Sequence, residues 1–141
     1  MMDERIAGFL SRHHVMTLAT TDDSGRAWCS NEFYAFDSEQ GMMIFTSDMN
    51  TAHAAQMSAR PEVAASVVLE TRIVGRVQGC QIRGRVVAGD DCARRRYLRR
   101  FPYAAAMLAA TEVWALTIDY VKFTDNTLGF GKKLIWQRDT H

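Results

Sequence analysis

Residues Met42 to Met57 read MMIFTSDMNTAHAAQM, and their order decides the architecture. The apolar run Met42 to Thr46 has the length and residue types of a strand, whereas about Asn50 to Ala59 is alanine-rich and helical, with short polar side chains at the join. A strand that turns directly into a helix leaves unpaired backbone N–H groups and the positive end of the helix dipole facing one way. Thr46, Ser47, Thr51 and the His53 imidazole are grouped there, so the junction has the chemistry of an anion site and points to a phosphorylated ligand. Local sequence leaves a second reading open, in which these hydroxyls only finish a strand and cap a helix.

Working outward, Asp3 is placed to cap a first helix in which Ile6, Phe9 and Leu10 share one face, ending near His13. Val15 to Thr21 alternates and is β-branched, DDSG at Asp22 to Gly25 is a turn, and Ala27 to Phe36 completes a hairpin. Pro61 stops the second helix, and Val63 to Leu69 returns to strand. After a polar loop, Cys80, Ile82, Val86 and Ala88 alternate with Gln81, Arg83 and Arg85. DCARRRYLRRF predicts a helix, YAAAMLAA a further short one, Val113 to Phe123 a strand, Asp125 to Gly131 a glycine-rich turn, and Lys132 to Trp136 a last strand. Six or seven strands joined mostly by hairpin-length turns imply a mainly β fold, an antiparallel barrel with peripheral helices.

The chain has 141 residues, enough for one core and a single domain spanning 1–141. Seventeen basic against 16 acidic residues leave a net charge of +1, which gives no overall attraction to nucleic acid. Cys29, Cys80 and Cys92 are odd in number and widely spaced, with no zinc pattern, and are expected to be reduced and buried. The opening MMDERIAGFLSRHH has early acids and no continuous apolar stretch, and no run reaches membrane-spanning length, so a cytoplasmic protein without a membrane partner is expected.

In VMTLATTDDSGRAWCS, GMMIFTSDMNTAHAAQM, RPEVAASVV and QIRGRVV, taken in that order, the chain resembles the pyridoxamine phosphate oxidase-like superfamily of FMN-binding split β-barrels. The closing FTDNTLGFGKKLIW is similar to the ending of a small bacterial subgroup of that superfamily. The resemblance implies a Greek-key split barrel, a homodimer with FMN at the subunit interface, and flavin-dependent oxidoreductase chemistry on a small substrate. It puts Ser30, Asn31 and Glu32 along the isoalloxazine and Thr46, Ser47, Thr51 and His53 by the phosphate, with Lys132, Lys133 and Trp136 as further contacts.

Two departures matter. Family members usually carry a Ser-Arg-Lys triplet where this chain has Thr51, Ala52 and His53, so two cations are lost; a protonated His53 can replace one of them, and Arg83, Arg85, Lys132 or Lys133 could supply the missing charge. The arginine and tryptophan that recognise pyridoxamine phosphate also lack clear counterparts, so vitamin B6 synthesis is not expected. A non-catalytic binder of flavin or another phosphorylated metabolite is the alternative.

The remaining signals have bland readings. Asp125 to Gly131 suits a simple chain reversal, and Trp114 and Trp136 suit a core or interface. Arg94, Arg95, Arg96, Arg99 and Arg100 are read as a solvated helix face or a dimer contact, without a nucleic-acid partner.

Overall fold

The computed structural model describes residues 1–106, 108, 111–129 and 131–139. The helix α1 (Glu4–Arg12) is capped by Asp3, whose carboxylate accepts from the Arg5 N–H at 2.8 Å, and it buries Ile6, Phe9 and Leu10 completely. The hairpin of β1 (Val15–Thr21) and β2 (Ala27–Asp37) is fixed by Asp22, which accepts the Ser24 and Arg26 N–H groups. Gly25 takes a positive φ in this turn, where a side chain would be strained. Then come β3 (Met42–Ser47), α2 (Ala52–Ala59), β4 (Glu62–Val68), β5 (Gln78–Ala88), α3 (Asp91–Arg100), β6 (Glu112–Asp125) and β7 (Lys133–Gln137).

All seven strands form one antiparallel sheet in the order β3-β2-β1-β4-β5-β6-β7. Placing β4 beside β1 after the β1-β2-β3 meander is the Greek-key crossover, and it is α2 that carries the chain across. Pairing of β3 with β6 then closes the barrel. The long β6 makes this possible: its first half pairs with β3, its second half with β7, and β5 runs along the other edge. The fold is a split β-barrel with short peripheral helices.

Inward side chains of the strands pack with α1 and with Ala54 and Met57 of α2, which plugs one end. On the outside, α3 covers Ala35, Ile44 and Val113 with Ala93, Tyr97 and Phe101, a second and smaller core. Burial of this kind contributes about 25 cal/mol per Å² of apolar surface, so the apolar stripe of α3 helps to hold it on the sheet.

One irregularity shapes the outer face. The β5–β6 register shifts between Arg83 and Gly84, and Asp119 is the extra residue: Arg83 faces Tyr120 while Gly84 faces Ile118. The bulge reverses the alternation of β6, so Leu116 and Ile118 point inward before it and Val121 and Phe123 after it. Gly84 is required there, because a Cβ would lie 2.2 Å from the Thr117 carbonyl oxygen.

Several sequence expectations are refined. Only Cys80 is buried; Cys29 and Cys92 are exposed, because the first lies on the outer face of β2 and the second on the solvent side of α3. Pro102–Ala104 form a single 3-10 turn, Ala105 and Ala106 continue as a turn rather than an α-helix, and positions 107, 109 and 110 of the expected YAAAMLAA helix lie outside the described residues. Ala88 is exposed, and the final strand begins at Lys133.

Candidate functional site

The strand–helix junction forms as its sequence demands, and its polar groups turn toward one another. Thr51 caps α2, accepting from the Ala54 N–H at 3.3 Å and donating to the Asp48 carbonyl at 2.8 Å. His53 Nε2 lies 3.0 Å from Glu32 Oε1, with both side chains only 12% exposed. Ser47 Oγ contacts the same Nε2, and Thr51 Oγ1 stands 3.4 Å from it. A carboxylate neighbour requires Nε2 to carry hydrogen, so one N–H is shared between Glu32 and Ser47. A hydrolytic triad needs acid and hydroxyl on opposite ring nitrogens, and this arrangement does not provide it.

Burial pushes the Glu32 carboxyl above its ordinary value, opposed by His53 and by the nearby Ser30 hydroxyl. Ser30 Oγ itself is buried without a well-formed hydrogen bond. Thr46 faces outward toward Tyr97, whose phenol is pushed up by burial, opposed by the Thr46 hydroxyl. Glu32, Ser47, Thr51 and His53 are thus brought together, with Ser30 and Thr46 beside them. Asn31 points to the other face, where its Oδ1 accepts from Thr17 at 2.9 Å.

Lys132, Lys133 and Trp136 are held elsewhere. Lys133 pairs with Thr124 at the far end of β6 from Ser47, which pairs with Glu112. Both lysines border a small cavity beside Arg5 and Asp125. Trp136 packs against the barrel core and carries the Arg138 guanidinium 5.4 Å from its ring.

A larger feature lies on the outer face of the sheet, around the bulge. Cys29, Ala19, Ala64, Arg83, Tyr120 and Gln137 stand in register across six neighbouring strands, a single row of side chains perpendicular to the chain direction. The alanines leave a trough in the middle of that row. Two contiguous cavities occupy it, of about 670 and 350 Å³, sharing Ala19, Ala64, Arg83 and Tyr120. Adjacent strands are about 4.8 Å apart, so the span from Cys29 to Arg83 is about 14 Å. Arg83 stacks on Tyr120, 4.9 Å from the ring centroid. Sequence alternation marks Arg83 and Gln81 as outward, but nothing local signals Tyr120, because the bulge sets its facing.

With this geometry in place, comparison with known proteins becomes informative. Residues 2–125 match the family model described as pyridoxamine 5'-phosphate oxidase. The chain belongs to that family. UPF0306 protein plu4501 of Photorhabdus laumondii is 40% identical over 136 residues, covering 92% of each chain. UPF0306 protein YhbP of Salmonella newport is 41% identical over 139 residues, covering 96% of this chain and 92% of that one.

Solved structures share the fold at lower identity. A FAD-binding protein of Mesorhizobium loti has a TM-score of 0.69 at 17% identity, covering 85% of this chain and 92% of its own. The heme storage protein HutZ of Vibrio cholerae has a TM-score of 0.69 at 14% identity, covering 84% and 92%. A heme binding protein of Mycobacterium smegmatis reaches 0.77 at 18% identity, covering 93% of this chain and 55% of its own.

Proposed function

We propose that this family member binds FMN non-covalently in the groove on its outer sheet face, and that it serves as a flavin-dependent oxidoreductase for a small substrate. The carrying observation is the trough itself, which has the volume of a cofactor site and a floor of Ala19 and Ala64 on which a flat ring can lie. Its rim supplies hydroxyl, amide and guanidinium groups from Thr21, Gln81, Arg83 and Gln137. The flavin supplies hydride chemistry, so the residues of this chain have only to bind, orient and exclude water.

An open trough does not exclude water by itself. We infer that a second copy closes it, since Phe33, Val68, Val87 and Ile135 are large, apolar and more than two-fifths exposed on the same outer face. The assay is reconstitution: purified protein is mixed with excess FMN, desalted, and examined by visible spectroscopy and gel filtration. A retained flavin spectrum on a dimer is the expected result. Protein that takes up no flavin at any concentration refutes the proposal.

A second reading is favoured by the junction. There the residues expected to meet a flavin phosphate are bonded to one another, and a groove containing Arg83 also suits the carboxylates of a haem. Two solved structures of like fold are named for haem, and hemin belongs in the same titration. Uptake of hemin with a shifted Soret band, and no uptake of FMN, selects it.

A further inference from the structure

We propose that Arg83 holds the phosphate of the bound flavin, making the groove selective for the phosphorylated over the unphosphorylated cofactor; this rests on the flavin reading above. Several cations near the groove and the junction are already engaged or lie away from the groove, and Lys122, opposite Gln81, is not among the residues that line it. Arg85 meets Asp119 at 3.3 Å and lies opposite Glu62 in the β4–β5 register. Arg60 binds Asp23 and the Thr21 carbonyl, and Arg138 binds the carbonyls of Ile118, Gln40 and Gly41. His53 is turned to Glu32 and Ser47, and Lys132 and Lys133 are at the far end of β6.

Arg83 differs from all of these. Among the described residues it makes no ion pair and no hydrogen bond, and it lines both parts of the groove. Its one contact of note is the Tyr120 ring, 4.9 Å away. Stacking holds a guanidinium in place through its face and leaves the in-plane N–H donors free, the geometry that takes two phosphate oxygens at once. Of the two acids bordering the groove, Asp119 pairs with Arg85 and Glu62 lies opposite Arg85 in the β4–β5 register, so neither forms an ion pair with Arg83.

The site is built by the bulge. Without Asp119 as an extra residue, Tyr120 would not share the outer face with Arg83 while Ile118 fills the core. The arrangement offers in β5 and β6 the positive charge that the first turn of α2 lacks.

The test compares FMN with riboflavin, which differ by the phosphate alone, in fluorescence titrations of the full chain and of Arg83→Gln and Arg83→Lys. The parent is expected to prefer FMN. Arg83→Gln should weaken FMN by about 10- to 100-fold while leaving riboflavin within about two-fold, and Arg83→Lys should fall between. Circular dichroism of each variant confirms folding. Equal affinity of the parent for both flavins, unchanged FMN binding by Arg83→Gln, or parallel loss of both flavins overturns the assignment and leaves flavin binding standing. A parent that binds neither flavin overturns both.

Discussion

Removing the His53 imidazole isolates the contribution of the junction to stability. In His53→Ala the Glu32 carboxylate stays largely buried and loses the N–H at 3.0 Å. A hydrogen bond to a charged group is worth about 1.5–3 kcal/mol, and an unpaired buried charge adds a desolvation cost that Glu32 can limit by taking up a proton. The net expectation is a loss of about 2–3 kcal/mol at pH 8, or about 6–10 °C in Tm for a chain of this size. The pH dependence follows from burial, which already raises the Glu32 carboxyl above the 4.5 of an unfolded chain. Loss of His53 raises it further. In the window between the unfolded and folded values the native state holds a proton that the unfolded chain has released, so the variant loses stability as pH rises through that window. Urea denaturation of parent and variant at pH 5, 6.5 and 8 measures this. A difference below about 0.5 kcal/mol at pH 8, or one that does not shrink toward pH 5, refutes the reasoning; Glu32→Gln in the His53→Ala background should recover part of the loss.

Gly84→Ala forces a methyl group against the Thr117 carbonyl at 2.2 Å, and because that neighbour is backbone it cannot yield cheaply. A loss of at least about 2–3 kcal/mol is expected, read as a lower urea midpoint with near-native m-value. Thr51→Ala removes the cap of α2 and should cost about 1 kcal/mol by the same assay, with Thr51→Ser close to neutral. Thiol labelling at pH 8 should modify Cys92 within minutes, slow at Cys29 once FMN and a second copy cover the trough that it lines, and spare Cys80, which is buried and whose thiol is pushed up to about 12. Mass spectrometry of peptides distinguishes the three, and rapid modification of Cys80 in the folded protein would contradict its placement.

The arginine run shows how a dense sequence signal is absorbed by packing. Arg96 reaches the buried Asp37 at 3.5 Å, Arg100 donates to the Ser11 and His13 carbonyls, and Arg94 reaches the Leu108 carbonyl. Three of the five arginines therefore stitch α3 to the barrel and the α1 connection. Their spacing announced a helix, but their partners come from segments distant in the chain.

What the sequence determined by itself was everything carried by neighbours a few residues apart. The Asp3 and Thr51 caps, the Asp22 turn, the helix break at Pro61 and the alternation of β5 depend on hydrogen bonds and steric limits within one or two turns of chain. Order and connection length then sufficed to indicate an antiparallel barrel, and the family resemblance a split one. Tertiary structure alone decided where polar groups find partners. Ser47 and His53 share a local motif with Thr46, yet Glu32, arriving from another strand, draws them inward, while Thr46 turns out toward Tyr97. In the same way the row from Cys29 to Gln137 exists only because six strands align in one register, and because a single extra residue in β6 reverses its facing. Such long-range pairings are fixed by closing the sheet around a filled core, a constraint that no local stretch of sequence contains.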